Sequence, residues 1–588
     1  MGLFQRAVET YDCNASRVGV YHADELEPLA PIGHMIAKAT VEITIDQDGN
    51  YLSASMVDKG DEKTIIPVTE DSMGRTSSAK KNPHPLCDKL KYIIAEENYY
   101  IPQLEAWSAS AFSLPKLQAI LGYVKKHTIR QDLEPYQVSD DTFVRWRVVG
   151  LGEDSGPCWT DKKLFQSYIS YVSALKNESG AFCMVTGEEA PNARQHAKGV
   201  VALNGNAKLI SSNDNAGFTY RGRFTDETQA ATISYAASQK AHNALRWLVA
   251  NQGKAYGGRT FLCWNPQGIR VGSPVQVFFQ TGGINQVKPS DYKEQLAATL
   301  LGRKKELQLQ GNEAAVIAVF DAATTGRLAL TYYNEISVSS FLDRMCGWDE
   351  HCCWWNGRFG IQPPSILQLV SCAFGTQRAE KSEAKLVADD RVMRQELQTL
   401  LACRLSEAAF PEHIRAALVQ RAGTPQAYEP KLWRSILHSA CSAINMTVFQ
   451  RRGEEIMSWS LDKPDRSFQF GRLLAAMERA EEDYYYLTGE TGRQTNAMKQ
   501  MSVFRQRPWT VYEQVNRQLN NAYLPRLKPW QRTRYQRLKD EIVSILSSFP
   551  EAELNRPLNE LYLMGYDLQH SAFFKNETET EETENEQI

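Results

Sequence analysis

The stretch Thr-Val-Glu-Ile-Thr-Ile-Asp-Gln-Asp-Gly-Asn-Tyr-Leu-Ser-Ala-Ser-Met, residues 40–56, decides the fold class. Its two halves alternate around Asp46-Gln47-Asp48-Gly49-Asn50, a cluster of turn-forming residues. Period-two alternation on both sides of such a cluster predicts a β-hairpin. Outward from it the pattern changes repeatedly. Residues 3–11 and 114–126 carry helical spacing, residues 142–149 read as a strand, and a polar, basic connection occupies residues 74–85. In residues 181–210 short apolar runs alternate with Gly, Asn and Pro, and residues 225–251 then predict one long helix with Thr225 as its N-cap. Further strands are expected at residues 260–264, 315–320 and 328–333. Beyond Ser337 strand signals fade, and from about Ala388 the pattern is helical with polar turns. The expectation is an α+β protein: a mixed body in two domains, residues 1–150 and 151–387, then an all-α bundle over residues 388–575. The acidic tail, residues 576–588, lacks apolar content and is expected to be disordered.

A chain of 588 residues exceeds what one core supports, and 43% apolar with 23% charged residues is ordinary globular composition. No apolar run approaches the ~20 residues a bilayer needs. The start, Met1 to Arg6, leads into an amphipathic helix rather than a signal peptide, so no membrane association and a cytoplasmic location are expected. Eleven scattered cysteines, an odd number, suit reduced thiols better than a disulfide framework. The net charge is −3, but six glutamates crowd the last twelve residues, and without them the body stands at +3. Nucleic-acid binding would then depend on where basic residues lie rather than on their total.

The common catalytic signatures are missing. No G-x-x-x-x-G-K-[ST] loop, H-E-x-x-H helix or G-x-S-x-G turn occurs, so no cofactor and no enzymatic activity are expected. The best metal candidate is Cys346, His351, Cys352 and Cys353, but adjacent cysteines do not easily both aim inward and three tryptophans flank them. A packed aromatic cluster is the favoured reading there, and no metal is expected.

Three segments concentrate basic and hydrogen-bonding side chains. Arg75, Lys80, Lys81 and Asn82 fall in the loop before Pro83, where a duplex can be reached. Residues 211–223 include Ser211, Ser212, Asn213, Asn215, Tyr220, Arg221 and Arg223, a mixture able to bond phosphates and base edges. Residues 514–539 contain Arg517, Arg526, Lys528, Arg532, Arg534, Arg537 and Lys539 without an acidic residue, interleaved with Tyr523, Trp530 and Tyr535. Such a stripe suits single strands, whose phosphates follow a cationic groove while bases stack on aromatic faces. The competing readings are solvated loops and a helix whose aromatics turn into the core.

Taken in order, these segments resemble the large-subunit family of type I-C CRISPR Cascade complexes, the Dvulg subtype. The resemblance is carried by the Asp48-Gly49 hairpin, Arg75, Leu86-Cys87-Asp88 and Tyr92. It continues through residues 183–187, His196 with Lys198-Gly199-Val200, residues 211–222, Tyr235 and Asn243-Ala244-Leu245. Trp264, Gly326-Arg327, Tyr332-Tyr333, Trp348, residues 471–475 with Glu478, and Gly565-Tyr566 with Gln569 complete it. Asp567, His570, Gly217 and Arg221 depart from the family pattern. The resemblance implies a non-catalytic subunit of a crRNA-guided complex that recognises the protospacer-adjacent motif, helps open target double-stranded DNA and holds the displaced single strand. The implied partners are crRNA, the backbone and guide-processing subunits, and a separate helicase-nuclease. It further implies a small subunit translated from within the same reading frame. Met457 is its favoured start, because Gly453-Glu454-Glu455 must be encoded by a purine-rich run just upstream, which makes residues 457–575 small-subunit-like. Two rival readings remain: a metal-dependent nuclease with an unrecognised site, and a purely structural scaffold.

Overall fold

The computed structural model describes all residues except 76–80, 96, 98, 177–179, 203–204, 212–230, 269–312, 325, 358–359, 380–382, 491 and 586–588, and the side chains at 323–324 and 574–585. The chain forms two compact units, Met1–Pro274 with Asn312–Val338, and Val275–Gly311 with Ser339–Ile588.

The first unit contains the expected hairpin. Strands β1 (His34–Lys38) and β4 (Lys63–Pro67) pair with each other, while β2 (Val41–Asp46) and β3 (Tyr51–Met56) form the hairpin between them. In β2 the side chains of Val41, Ile43 and Ile45 are fully buried, which is the core face the alternation demands. The turn is held by Asp46, whose carboxylate accepts the amides of Asp48 at 2.9 Å and Asn50 at 2.8 Å. Gly49 has φ +72°, and a Cβ there would lie 2.6 Å from the Ala119 carbonyl of the helix Pro115–Val124, so backbone sits directly on backbone. Strand β5 (Val144–Val149) joins β2 in parallel, with Ile43 opposite Trp146, and β6 (Gly156–Pro157) completes the sheet order β3-β2-β5-β6. The sheet runs through residue 150, where the sequence suggested a domain boundary, and Cys158, Leu164 and Tyr168 share its core.

After the small hairpin β7 (Ala181–Phe182) and β8 (Glu189–Ala190), a second sheet has the order β12-β11-β10-β9. It comprises β9 (Lys254–Tyr256), β10 (Arg259–Trp264), β11 (Ala314–Thr324) and β12 (Arg327–Ser337), all antiparallel. The helices Leu3–Cys13 and Tyr235–Gln252 cover it through Leu3, Ala7, Leu245 and Leu248. The long helix starts at Tyr235, later than expected, because Ser234 is the residue whose hydroxyl caps it through the Ala237 amide at 3.2 Å. Before it, Thr232 and Ile233 bond as extended chain to Met184 and Ala193, and Thr225 lies outside the described residues.

In the second unit the helix Val338–His351 is followed by two short hairpins, β13 (Trp354–Trp355) with β14 (Ile361–Gln362) and β15 (Thr376–Ala379) with β16 (Ala384–Val387), separated by the helix Ile366–Phe374. From Asp390 onward the described residues are helical, as the periodicity predicts. The helices Arg466–Thr488 and Leu561–Asn585 cross at two glycines: a Cβ on Gly471 would lie 1.9 Å from the Tyr562 carbonyl, and one on Gly565 2.0 Å from that of Phe468. The last helix carries the backbone of the acidic stretch as far as Asn585, where composition suggested disorder. After Gly565 no Gly or Pro interrupts the chain, so a helix nucleated on the core propagates outward.

Candidate nucleic-acid interface

In the first unit, Thr69 caps the helix Glu70–Gly74 through the Ser72 amide at 3.0 Å, and the chain then leaves in extended form at Arg75. The Arg75 guanidinium grips Asp88 with two bonds of 2.6 and 2.5 Å, donates to the Asn82 carbonyl at 2.9 Å and lies 3.8 Å above the Tyr92 ring. Asp88, fully buried, also accepts the amides of His84 and Lys89, each at 2.7 Å. Arg75 is therefore not a free loop cation, its side chain being 10% exposed. It is the clamp that closes the base of the loop, because a bidentate pair with stacking consumes the guanidinium. Asn82 is half-buried and Lys81 is exposed, while Lys80 lies outside the described residues. Leu86 adds to the clamp: its carbonyl accepts Tyr100 Oη and Trp146 Nε1, each at 2.5 Å.

The second segment starts from the same place. Glu70 accepts the amides of Arg194 at 2.7 Å and Gln195 at 3.1 Å, which stitches the short helix to the following strand of chain. Lys198 Nζ donates to the Arg75 carbonyl at 2.8 Å and to Asn206 Oδ1 at 3.2 Å. Lys208 forms a backbone bridge to Lys198, and its Nζ lies about 4.0 Å from where a Gly74 Cβ would be. Ser211 follows, half-buried, whereas Ser212, Asn213, Asn215, Tyr220, Arg221 and Arg223 lie outside the described residues. The exit is fixed where Cys183 Sγ accepts the Ser234 amide at 3.2 Å. The two duplex-contacting segments inferred from sequence are thus rooted side by side on residues 74–75 and 194–211.

Sequence reasoning singled out neither Lys208 nor Arg246 among the cations at that root. Arg246, on the helix Tyr235–Gln252, is half-buried and donates Nη2 to the Lys198 carbonyl. Burial lowers the pKa of Lys198, with Lys208, Arg75 and Arg246 adding repulsion, and burial pushes Arg246 down to about 10. The available signal was a charged residue inside the otherwise apolar pattern Ala244-Leu245-Arg246-Trp247-Leu248.

In the second unit the basic stripe is divided among the helix Pro508–Gln518, a π turn Leu519–Tyr523, a 3-10 turn Leu524–Arg526 and the helix Pro529–Leu546. Lys539 is buried, with Nζ on Asn516 Oδ1 at 2.6 Å and Asn520 Oδ1 at 3.1 Å, so it staples the segment instead of facing a strand. Arg532 donates to the carbonyls of Leu524 at 3.0 Å and Pro525 at 2.7 Å, and Arg526 to Tyr484 Oη at 3.0 Å. Tyr535 is buried with its hydroxyl on Asp483 at 2.6 Å, and half-buried Tyr523 packs 4.9 Å from the Tyr484 ring. What remains outward is Arg517, Arg526, Lys528 and Arg537 with Trp530, which is 58% exposed. Trp530, Arg534 and Arg537 line one shallow groove with Glu541, and the i, i+4, i+7 spacing sets them on one helix face. Half-buried Arg534 also lies 5.3 Å from the Phe573 ring.

The cysteine cluster does not converge: Cys352 is fully buried and Cys353 Sγ donates to the Glu350 carbonyl at 3.1 Å. Among the described residues, the group able to surround an ion is Glu350, His351 and Glu455, with ligand atoms within 4.8 Å of one another. It shares only His351 with the set inferred from sequence.

The fold and site define a two-unit α+β protein in which Arg75 and Lys198, from two separate segments of the first unit, meet at one basic root. Residues 8–574 match the family model described as CRISPR-associated protein (Cas_Csd1), and the chain belongs to that family. No curated protein matches it.

Proposed function

We propose that the chain is the non-catalytic large subunit of a type I-C crRNA-guided Cascade complex. Its first unit reads the motif beside the target on duplex DNA, helps open it, and works with crRNA-bearing backbone and guide-processing subunits in the cytoplasm. Base pairing supplies sequence recognition in such systems, leaving the protein to read a short flanking motif and hold the separated strands. The observation that supports this reading best is the common root of the two loops at Arg75 and Lys198. Two separate segments delivered to one place can straddle a duplex. The absence of familiar catalytic motifs in the sequence fits a division of labour in which a separate helicase-nuclease cuts. No described helix is long and apolar enough to cross a membrane.

Asn213→Ala with Asn215→Ala, in the assembled complex, tests the reading: target binding should lose its preference among flanking motifs. Unchanged preference and unchanged affinity would contradict it. A nuclease is the second reading, favoured by Glu350, His351 and Glu455. Metal-dependent cleavage of DNA by the purified chain, lost in Glu455→Gln, would establish it.

In the second unit, Trp530 with Arg534 and Arg537 holds the displaced strand. The helices after Met457 serve also as a separately translated small subunit. In support of the latter, the Gly471 and Gly565 crossing and the five long helices between Arg466 and Asn585 lie wholly downstream of that methionine.

A further inference from the structure

Beside the basic root, lined in part by Lys198 and Arg246, lies a cavity of about 790 Å³. Its lining is partly apolar, with Leu26, Pro28, Met35, Val200 and Val249. Arg246, Lys198 and Asn243 add polar and cationic groups to the same lining, Asn243, Arg246 and Val249 at three-residue spacing on the helix Tyr235–Gln252. Arg246 Nη1 is shielded from solvent and has no protein hydrogen-bond acceptor, and no ion pair to a described carboxylate exists for Arg246, Lys198 or Lys208. The carboxylates that do line the cavity are already neutralised, Glu27 by Lys63 and Glu62 by Lys38 at 2.7 Å. A guanidinium donor held without an acceptor is costly unless a ligand completes it, and clustered cations favour an anion. The volume falls in the range of small-molecule sites, where apolar walls carry most of the surface and a few polar groups fix orientation.

We propose that this cavity binds a nucleotide. Its phosphate sits on Arg246 and Lys198, and its nucleoside lies against Leu26, Met35 and Val249. This goes beyond the duplex reading, since Lys80, Lys81 and Asn213 are not among the residues that line the cavity. The same chemistry can come from a free mononucleotide or from one nucleotide of a strand.

The test uses the purified full-length chain, with adenosine 5′-monophosphate, inorganic phosphate and a short single-stranded oligonucleotide as probes, read by calorimetric titration and thermal melting. Saturable binding of the monophosphate that Arg246→Met weakens about tenfold or more supports a free nucleotide. Binding of the oligonucleotide alone, with the same sensitivity, assigns the site to a strand. Should Arg246→Met fail to fold, Ala250→Trp fills the cavity without removing a charge and should abolish binding. Phosphate binding as tight as that of the nucleotide removes the apolar lining from the proposal and overturns it. So does absence of all binding, or binding that survives Ala250→Trp.

Discussion

Fully buried Asp88 holds the Arg75 guanidinium, whose side chain is 10% exposed, so removing Arg75 strands a charge in low dielectric. Arg75→Met should cost about 3–5 kcal/mol in urea unfolding, far more than a solvated loop cation would. The same variant should weaken DNA binding only through misplacement of the loop. Buried histidines give the first unit an acid sensitivity. Burial lowers His34 and His196 to about 4 and His242 to about 3, so all three stay neutral in the folded chain when the unfolded chain protonates near 6.5. Below that pH the unfolded state binds more protons, so stability is intact above about 6.5 and falls towards 4, by about 1.4 kcal/mol per unit for each histidine. Melting temperature followed from pH 7 to 5 should drop, and His242→Gln should flatten the slope. The role of Arg75 was not legible from sequence, because Asp88 and Tyr92 stand thirteen and seventeen residues away and nothing local announces the pairing.

Helix and strand patterns were far more legible. Ile43 and Ile45 alternate because one face of β2 is core, and the helices after Asp390 follow their apolar spacing. The parallel pairing of β2 with β5 was not, since its partners are about a hundred residues apart and parallel register leaves no turn signal. Nor did the basic stripe reveal its own division. Lys539 looks like its neighbours in sequence, yet an inward helix position buries it against Asn516 and Asn520. Lys539→Met should therefore reduce stability by about 1–3 kcal/mol and leave single-strand affinity unchanged once folded. Trp530→Ala with Arg537→Ala should do the reverse, with a stack contributing about 1–3 kcal/mol of binding and no loss in unfolding experiments. At the crossing of the Arg466–Thr488 and Leu561–Asn585 helices, Gly471→Ala must push backbones apart, at a cost of about 3 kcal/mol or more.

For the molecule as a whole, residues that carry the family resemblance fall into physical groups. Arg75, Asp88 and Tyr92 form the clamp, Lys198 joins it to the second segment, and Gly471 with Gly565 sets the helix crossing. An internal start at Met457 should yield a short C-terminal product, seen by mass spectrometry of the purified complex. Synonymous recoding of Gly453 to Glu455 should remove it while the full-length chain persists. The central claim, a duplex held by loops on one basic root, is tested most directly by salt dependence. Target binding by the assembled complex is measured across salt concentrations, for the natural chain and for Lys80→Ala with Lys81→Ala. Loss of two phosphate contacts should reduce the slope of log K against log salt by about two. A slope and affinity identical to those of the natural complex would contradict the account.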